Sequence, residues 1–252
     1  MPQRPFVSSL SALALLIAGL SSVGTSAQED QGLQWSVMPY LWGSTTELDL
    51  TFRDASVSPD ELSFKDLVDT LDGAFMFQTE IGAGYWSVFA DATYLKIAST
   101  DVRDRISIDV DSTQIFADGA VAYWPQGFGS ALSVFGGVRH SSFDNSFGFT
   151  ATDAEIPPAE RVSDTDYNDL LLGLRYHTPI SDRWDIRTYA DYAFGDSEGV
   201  FVIRGSFAYN FGKSGQNSAV VGYQYKEAEF TEGDQTNSFT YYGPLVGLEF
   251  SF

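Results

Sequence analysis

The chain has 252 residues, 14 Lys+Arg against 34 Asp+Glu, a formal net charge of −20 and no cysteine. That charge repels nucleic-acid phosphates and excludes a DNA or RNA partner, while the missing cysteines exclude thiol catalysis, disulfide scaffolds and Cys-based zinc sites together. Aromatics at 15%, hydrophobics at 44% and 23 glycines are too many for a disordered chain, in spite of the charge.

Residues 1–27 read as a secretory signal peptide. Arg4 gives the positive start, Leu10 to Leu20 (LSALALLIAGL) the apolar run, and Ser21 to Ala27 (SSVGTSA) the small-residue cleavage segment. An apolar run of eleven is short for a bilayer-spanning helix. With no cysteine at the cut, a lipoprotein anchor is excluded. The expectation is an exported domain over 28–252. No later window is apolar for long enough to make a membrane helix.

Beyond the signal the hydropathy period is two. About ten segments alternate, near 34–50, 73–84, 86–99, 106–123, 131–149, 165–179, 184–197, 199–212, 217–231 and 237–252. Between the first two, Ser58, Pro59 and Glu61 form a capping box. Leu62, Leu67, Val68 and Leu71 form a partial apolar stripe and Gly73 a stop, so one short helix is expected there. It can serve as a lid over the barrel mouth or simply pack on the rim. In the last segment, Tyr242, Pro244, Val246, Leu248, Phe250 and Phe252 share one face, and Tyr241, Gly243, Leu245, Gly247, Glu249 and Ser251 the other.

An even strand count returns the C-terminus to the side where the N-terminus began, as a closed antiparallel barrel requires; eight or twelve strands are the alternatives to ten. The connections alternate short (Tyr85-Trp86, Pro125 to Ser130, Ser181 to Arg183, Lys213 to Gln216) and mostly longer (51–72, 100–105, 150–164, 231–236), with the turn near Gly195 to Glu198 as the exception. Outer-membrane barrels sort short turns to the periplasm and longer loops to the outside in this way. A soluble barrel or sandwich would also alternate, but need not sort its connections. The charged residues Glu80, Asp91, Asp118, Arg139, Asp169, Arg175, Asp185, Arg187, Asp191, Arg204, Lys226 and Glu249 fall on one strand face. In a membrane barrel that face must be the lumen, since a mid-belt charge facing lipid costs about 2–4 kcal/mol. Trp35, Tyr85, Trp86, Tyr123, Trp124, Trp184 and Tyr209 crowd strand ends, where aromatic girdles lie.

The final strand YYGPLVGLEFSF, with Phe250 and the terminal Phe252, resembles the closing strand of Gram-negative outer-membrane proteins, which implies that the barrel assembly machinery reads it. WSVMPYLW (Trp35 to Trp42) and the later SFKDLVDTLDGAFMFQTEIGAGYWSVFADATYL resemble a family of uncharacterised proteobacterial outer-membrane β-barrel proteins, similar in kind to small OmpA-like and OmpW-like barrels. The resemblance covers roughly residues 33–99, and the rest by architecture. It implies an all-β transmembrane barrel in the outer membrane, among lipopolysaccharide, delivered by periplasmic chaperones. It implies no substrate.

The chemistry is sparse. His140 stands two residues before Ser142, on the same face, with carboxylates nearby, a set that can support acyl hydrolysis. The segment faintly resembles the His-x-Ser-Asn stretch of outer-membrane lipid A deacylases, but Phe143 stands where Asn is expected, and chain length and position differ. A rim histidine with ordinary hydrogen bonds is the simpler account. The lumenal charges would set ion selectivity in a narrow, porin-like pore, or pair and fill the interior of a structural barrel. Acidic residues of the longer connections, such as Asp60, Asp66 and Asp153, could hold divalent cations against outer-leaflet phosphates, or merely keep a solvated acidic surface. No resident cofactor or metal site is expected. The expected role is membrane integrity or limited passage of small solutes, with a lipid-modifying hydrolase using His140 and Ser142 as the alternative.

Overall fold

The computed structural model describes residues 32–52, 55–57, 71–103, 106–151, 159–212, 215–232 and 235–252. Every regular element among them is a strand: β1 Gln34–Trp42, β2 Thr45–Phe52, β3 Ala55–Val57, β4 Leu71–Ala83, β5 Trp86–Arg103, β6 Ile106–Tyr123, β7 Leu132–Ala151, β8 Ala159–Pro179, β9 Trp184–Gly195, β10 Gly199–Phe211, β11 Asn217–Glu232 and β12 Gln235–Ser251. The signal segment 1–27 and the expected helix after Ser58 lie outside the described residues. Leu71, read from sequence as part of that helix, instead opens β4, where a register shift between Leu71 and Gly73 marks a bulge.

From β4 to β12 each strand pairs antiparallel with the next, and β1 pairs with both β4 and β12, so the sheet closes. β1 and β2 lie end to end along β12, against 245–251 and 235–242, and act as one stave. Ten staves therefore form the wall, with β3 as an extra strand paired to β2. The break at Gly43-Ser44 faces Gly243, where a Cβ would strike the Gly43 carbonyl oxygen. The seam ends in reciprocal backbone bonds, Trp35 N–H to the Phe252 carbonyl at 3.1 Å and Phe252 N–H to the Trp35 carbonyl at 2.8 Å. On its other side β1 pairs with β4 as far as Pro39, whose ring nitrogen has no hydrogen to donate.

One end of the barrel carries the turns 84–85, 124–131, 180–183 and 212–216 and is here the tight-turn end. At the other, β5–β6 and β11–β12 are separated by two residues and β9–β10 by three, so the connections sort by length less than expected. Gly84, at a φ of 61°, turns β4 into β5 in two residues, a geometry that other residues adopt at a cost. At the opposite end the strands reach further than hydropathy alone marks: β5–β6 pairing continues to Arg103–Ile106 and β7–β8 pairing to Phe149–Ala159. The added residues include β-branched ones such as Thr100, Val102 and Val162, which favour the extended chain.

The wall is apolar outside and polar within. Leu170, Leu172 and Leu174 on β8 are 57%, 57% and 47% exposed, while the alternating Asp169 and Leu171 are buried. Trp35 and Phe252, Trp86 and Tyr123, and Trp184 and Tyr209 pair their rings on the outer face at the tight-turn end, with centroids 5.5, 4.9 and 5.1 Å apart. Trp124 does not join them. It follows the outward Tyr123, so strand parity turns it inward, where its indole N–H donates to Ser87 Oγ at 2.9 Å. Gly137 on β7 lies against Ala120 of β6, and a Cβ there would run into the Gly119 carbonyl oxygen and the Ala120 backbone. Gly137→Ala is expected to destabilise the folded barrel by about 1–3 kcal/mol, read as a lower urea midpoint in detergent micelles.

Candidate functional site

Two groups of polar residues stand out, one inside the barrel and one on its outer face. The interior holds all twelve charged residues that share the sequence parity, and most of them meet. Nearest the tight-turn end, Arg175 on β8 reaches across to Glu80 on β4 in a two-pronged pair at 2.8 and 2.9 Å, its guanidinium stacked over Phe89 and Trp124. Arg187 donates to Glu249 at 2.6 Å and to Ser218. Asp185 accepts from Asn210. These side chains line a cavity of about 710 Å³ that takes in Ser36, Ser251 and Phe252 at the mouth.

Deeper in, the cavity is closed. Arg139 is 3% exposed and gives Nε and Nη2 to the two oxygens of Asp118, at 2.8 and 2.7 Å, and Nη1 and Nη2 to those of Asp191, at 3.0 and 3.1 Å. Asp91 on β5 faces Arg204 on β10 at 3.6 Å and accepts the Tyr40 hydroxyl at 2.7 Å. Arg204 also donates to Gln224 at 2.6 Å. Planar guanidinium forks against carboxylates are strong and directional pairs. They hold opposite walls at a fixed distance. Lys226 is buried without a carboxylate in ion-pair reach among the described residues; its ammonium lies 3.3 Å from the centroid of the Phe116 ring. Such a desolvated cation–π contact is worth about 2 kcal/mol.

Asp169 is the member that pairs with no cation among the described residues. Its carboxylate accepts the Ser197 backbone N–H at 3.0 Å and hydroxyl at 2.8 Å, which fixes the β9–β10 turn. Beyond the charges, Phe116, Phe143, Tyr167, Phe230, Phe239 and Tyr241 fill the lumen edge to face or stacked, with Tyr167 and Phe230 centroids 4.3 Å apart. Hydropathy did not mark this plug, because its aromatics lie on the face read as charged.

On the outer face, the register sets His140 beside Asn168 and Ser142 beside Asp166. His140 Nδ1 lies 3.0 Å from Asn168 Oδ1, and Nε2 lies 3.9 Å from Asp166 Oδ1. Asn168 is tied in turn to Asp196, by its backbone N–H at 3.0 Å and its side-chain amide at 3.5 Å. No hydrogen bond joins His140 to Ser142 among the described residues, although both face outward. Sequence spacing alone did not find Asn168, on the partner strand β8, or Asp196, in the turn after β9; the one signal was that Asn168 shares the parity of Leu170 and Leu172. His177, at the tight-turn end, lines the 710 Å³ cavity. Among the described residues no group of three His or acidic side chains could hold a metal ion.

No protein-family model matches the chain, and no curated protein matches it in sequence. Solved structures with a similar course of the chain include the translocator domain of the autotransporter NalP from Neisseria meningitidis, at 14% identity, 96% of this chain, 94% of that chain and a TM-score of 0.44. The outer membrane protease OmpT from Escherichia coli is similar at 8% identity, 90% and 99% coverage and a TM-score of 0.47. Ail from Yersinia pestis is similar at 9% identity, 87% and 99% coverage and a TM-score of 0.36.

Two variants test the interior. Arg139→Ala leaves Asp118 and Asp191 buried without their shared cation and is expected to cost about 3–5 kcal/mol, read by denaturant unfolding in micelles. The Tyr241 hydroxyl is buried with no partner in the structure. Tyr241→Phe is therefore expected to raise stability by about 1 kcal/mol, visible as a higher melting point.

Proposed function

We propose that the chain is an integral barrel of the Gram-negative outer membrane whose lumen is closed, and that it supports membrane integrity rather than bulk passage of solutes. The outer face favours lipid: from Trp184 to Phe194 the outward residues of β9 are uncharged over eleven positions. At a rise of about 3.4 Å per residue and a tilt of about 40° this makes an apolar band about 25 Å tall. A patch of that extent on a wall facing water would drive aggregation.

One observation carries the closed lumen. Asp91–Arg204 and Glu80–Arg175 join strands on opposite sides of the ring, with Arg139 locked between two carboxylates beside them. In this reading the chain sits among lipopolysaccharide, periplasmic chaperones deliver it, and the assembly machinery recognises the outward Phe250 and Phe252. Divalent cations would join its acidic outer residues to lipid phosphates. Planar-bilayer recordings of the refolded, heat-modifiable protein are expected to show no discrete steps. Steps whose ion selectivity changes in an Arg139→Ala/Arg175→Ala variant would replace this role with a charge-tuned pore.

A second function, hydrolysis of membrane-lipid esters by Ser142 and His140, is favoured by the 3.0 Å contact between His140 and Asn168. It predicts ester cleavage that is lost in Ser142→Ala and His140→Ala.

A further inference from the structure

We infer that Asp196 and Asn168 are positioning residues that hold His140 in the tautomer with its proton on Nδ1, leaving Nε2 bare toward the Ser142 side, and that the ester so attacked belongs to a membrane lipid lying along β7. This rests on the hydrolase function above and adds its orienting residues and the place on the wall where the lipid lies.

The proton assignment follows from acceptor chemistry. An ionised Asp196 has only acceptors, so the Asn168 atom facing it at 3.5 Å is the amide nitrogen, and the backbone N–H of Asn168 donates to the same oxygen at 3.0 Å. Asn168 Oδ1 is thereby turned to His140, where it can only accept. His140 must donate from Nδ1 across the 3.0 Å contact. In a neutral imidazole Nε2 is then the free base. Asp166 does not take that position, since its oxygen is 3.9 Å from Nε2, beyond hydrogen-bond reach. It is near enough to stabilise the imidazolium once Nε2 gains a proton. Ser142 lies two residues along the same face, about 7 Å from His140 by strand rise. Side-chain rotation must bring hydroxyl and imidazole together, as in many sites that tighten only with substrate.

The place on the wall names the substrate. On the outward face of β7, His140 is the first polar residue after Val138, which is 50% exposed, and on β8 Asn168 is the first after Leu170. The cluster therefore stands at the edge of the apolar band, where the esters of lipids lie. Below it, Gly136 leaves a shallow apolar groove of about 450 Å³ with Val121, Val134 and Leu172, ended by Trp86 and Tyr123. The groove stops at Gly136 and Leu172, four residues from His140, and an acyl chain running from it over the exposed Val138 and Leu170 brings its ester up to His140 and Ser142.

In the reaction Ser142 Oγ attacks the ester carbonyl carbon while its proton passes to His140 Nε2. The carbon–alkoxy bond breaks and the leaving oxygen takes that proton, which leaves an acyl-serine and a free lipid alcohol. Water then attacks the acyl-serine, giving its proton to Nε2. The carbon–Oγ bond breaks, Oγ recovers the proton, and a fatty acid is released.

The test uses the full mature protein in micelles, with ¹⁵N-histidine NMR in a His177→Gln background and turnover of a long-chain and a short-chain nitrophenyl ester. The inference expects the Nδ1–H tautomer at His140, its loss in Asn168→Ala, and a fall in kcat on the order of 10²-fold or more with KM little changed. Asp196→Ala is expected to move both readouts the same way and Asn168→Asp, which keeps an acceptor, to restore part of the rate. Turnover abolished by Ser142→Ala but unchanged in Asn168→Ala and Asp196→Ala overturns the positioning role and leaves the hydrolase standing. Equal turnover of both esters overturns the lipid assignment. An Nε2–H tautomer in the unsubstituted His140 overturns the inference whatever the activity. The Nδ1–H tautomer without any ester cleavage overturns the hydrolase function, and with it the substrate, while the orienting contact survives.

Discussion

The wall of this protein exists because the sheet closes on itself. A strand facing hydrocarbon cannot leave its N–H and C=O groups unpaired, since each would cost several kcal/mol without water to bond them. An open sheet has two such edges, and a ring has none. Here the closing pair is β1 with β12, and the reciprocal Trp35–Phe252 bonds tie the two chain ends of the ring together. The aromatic pair of the same residues covers that seam on the outside. Closure turns one of the two faces that the pleat separates into an inside and the other into an outside.

Closure also makes the interior small. Ten tilted strands enclose a space that long side chains cross, so a lumenal Arg meets a lumenal carboxylate on the far wall instead of meeting solvent. Arg175–Glu80 and Arg204–Asp91 do this. Away from water, such charges are held only when paired or hydrogen-bonded. Arg139, shared by Asp118 and Asp191, satisfies two acids with one fork. The aromatic plug fills what remains with rings rather than water, and a few polar atoms within it, among them the Tyr241 hydroxyl and Trp42 Nε1, are left unpartnered.

The outer face obeys the opposite rule, with exceptions at one edge of the apolar band. Polar side chains return where the apolar band ends, at His140, Ser142, Asp166 and Asn168 on neighbouring strands. Asp196 joins them from the turn after β9 because the Asn168 carbonyl accepts its backbone N–H at 3.3 Å. The same turn is fixed from the interior by Asp169, one residue beyond Asn168 and of opposite parity. Two adjacent residues of β8 thus anchor one turn from both faces of the wall.

The sequence by itself determined the faces. A period of two separates Asp169 from Leu170 and Arg139 from Val138, whatever partners the strands find, because successive side chains of an extended chain point to opposite sides. It also marked His140 and Ser142 as neighbours on one face. It misjudged Trp124 by treating an aromatic at a strand end as part of a girdle, when parity had turned it inward. Only the tertiary structure decided which charges meet, since pairing across the ring depends on diameter and register, which no local pattern encodes. The same holds for Asn168, which is 28 residues from His140 in the chain and 3.0 Å from it in the fold, and for the plug, whose rings come from β6, β7 and β8 on one side and β11 and β12 on another. Local chemistry sets which way a side chain faces; long-range pairing sets what it faces.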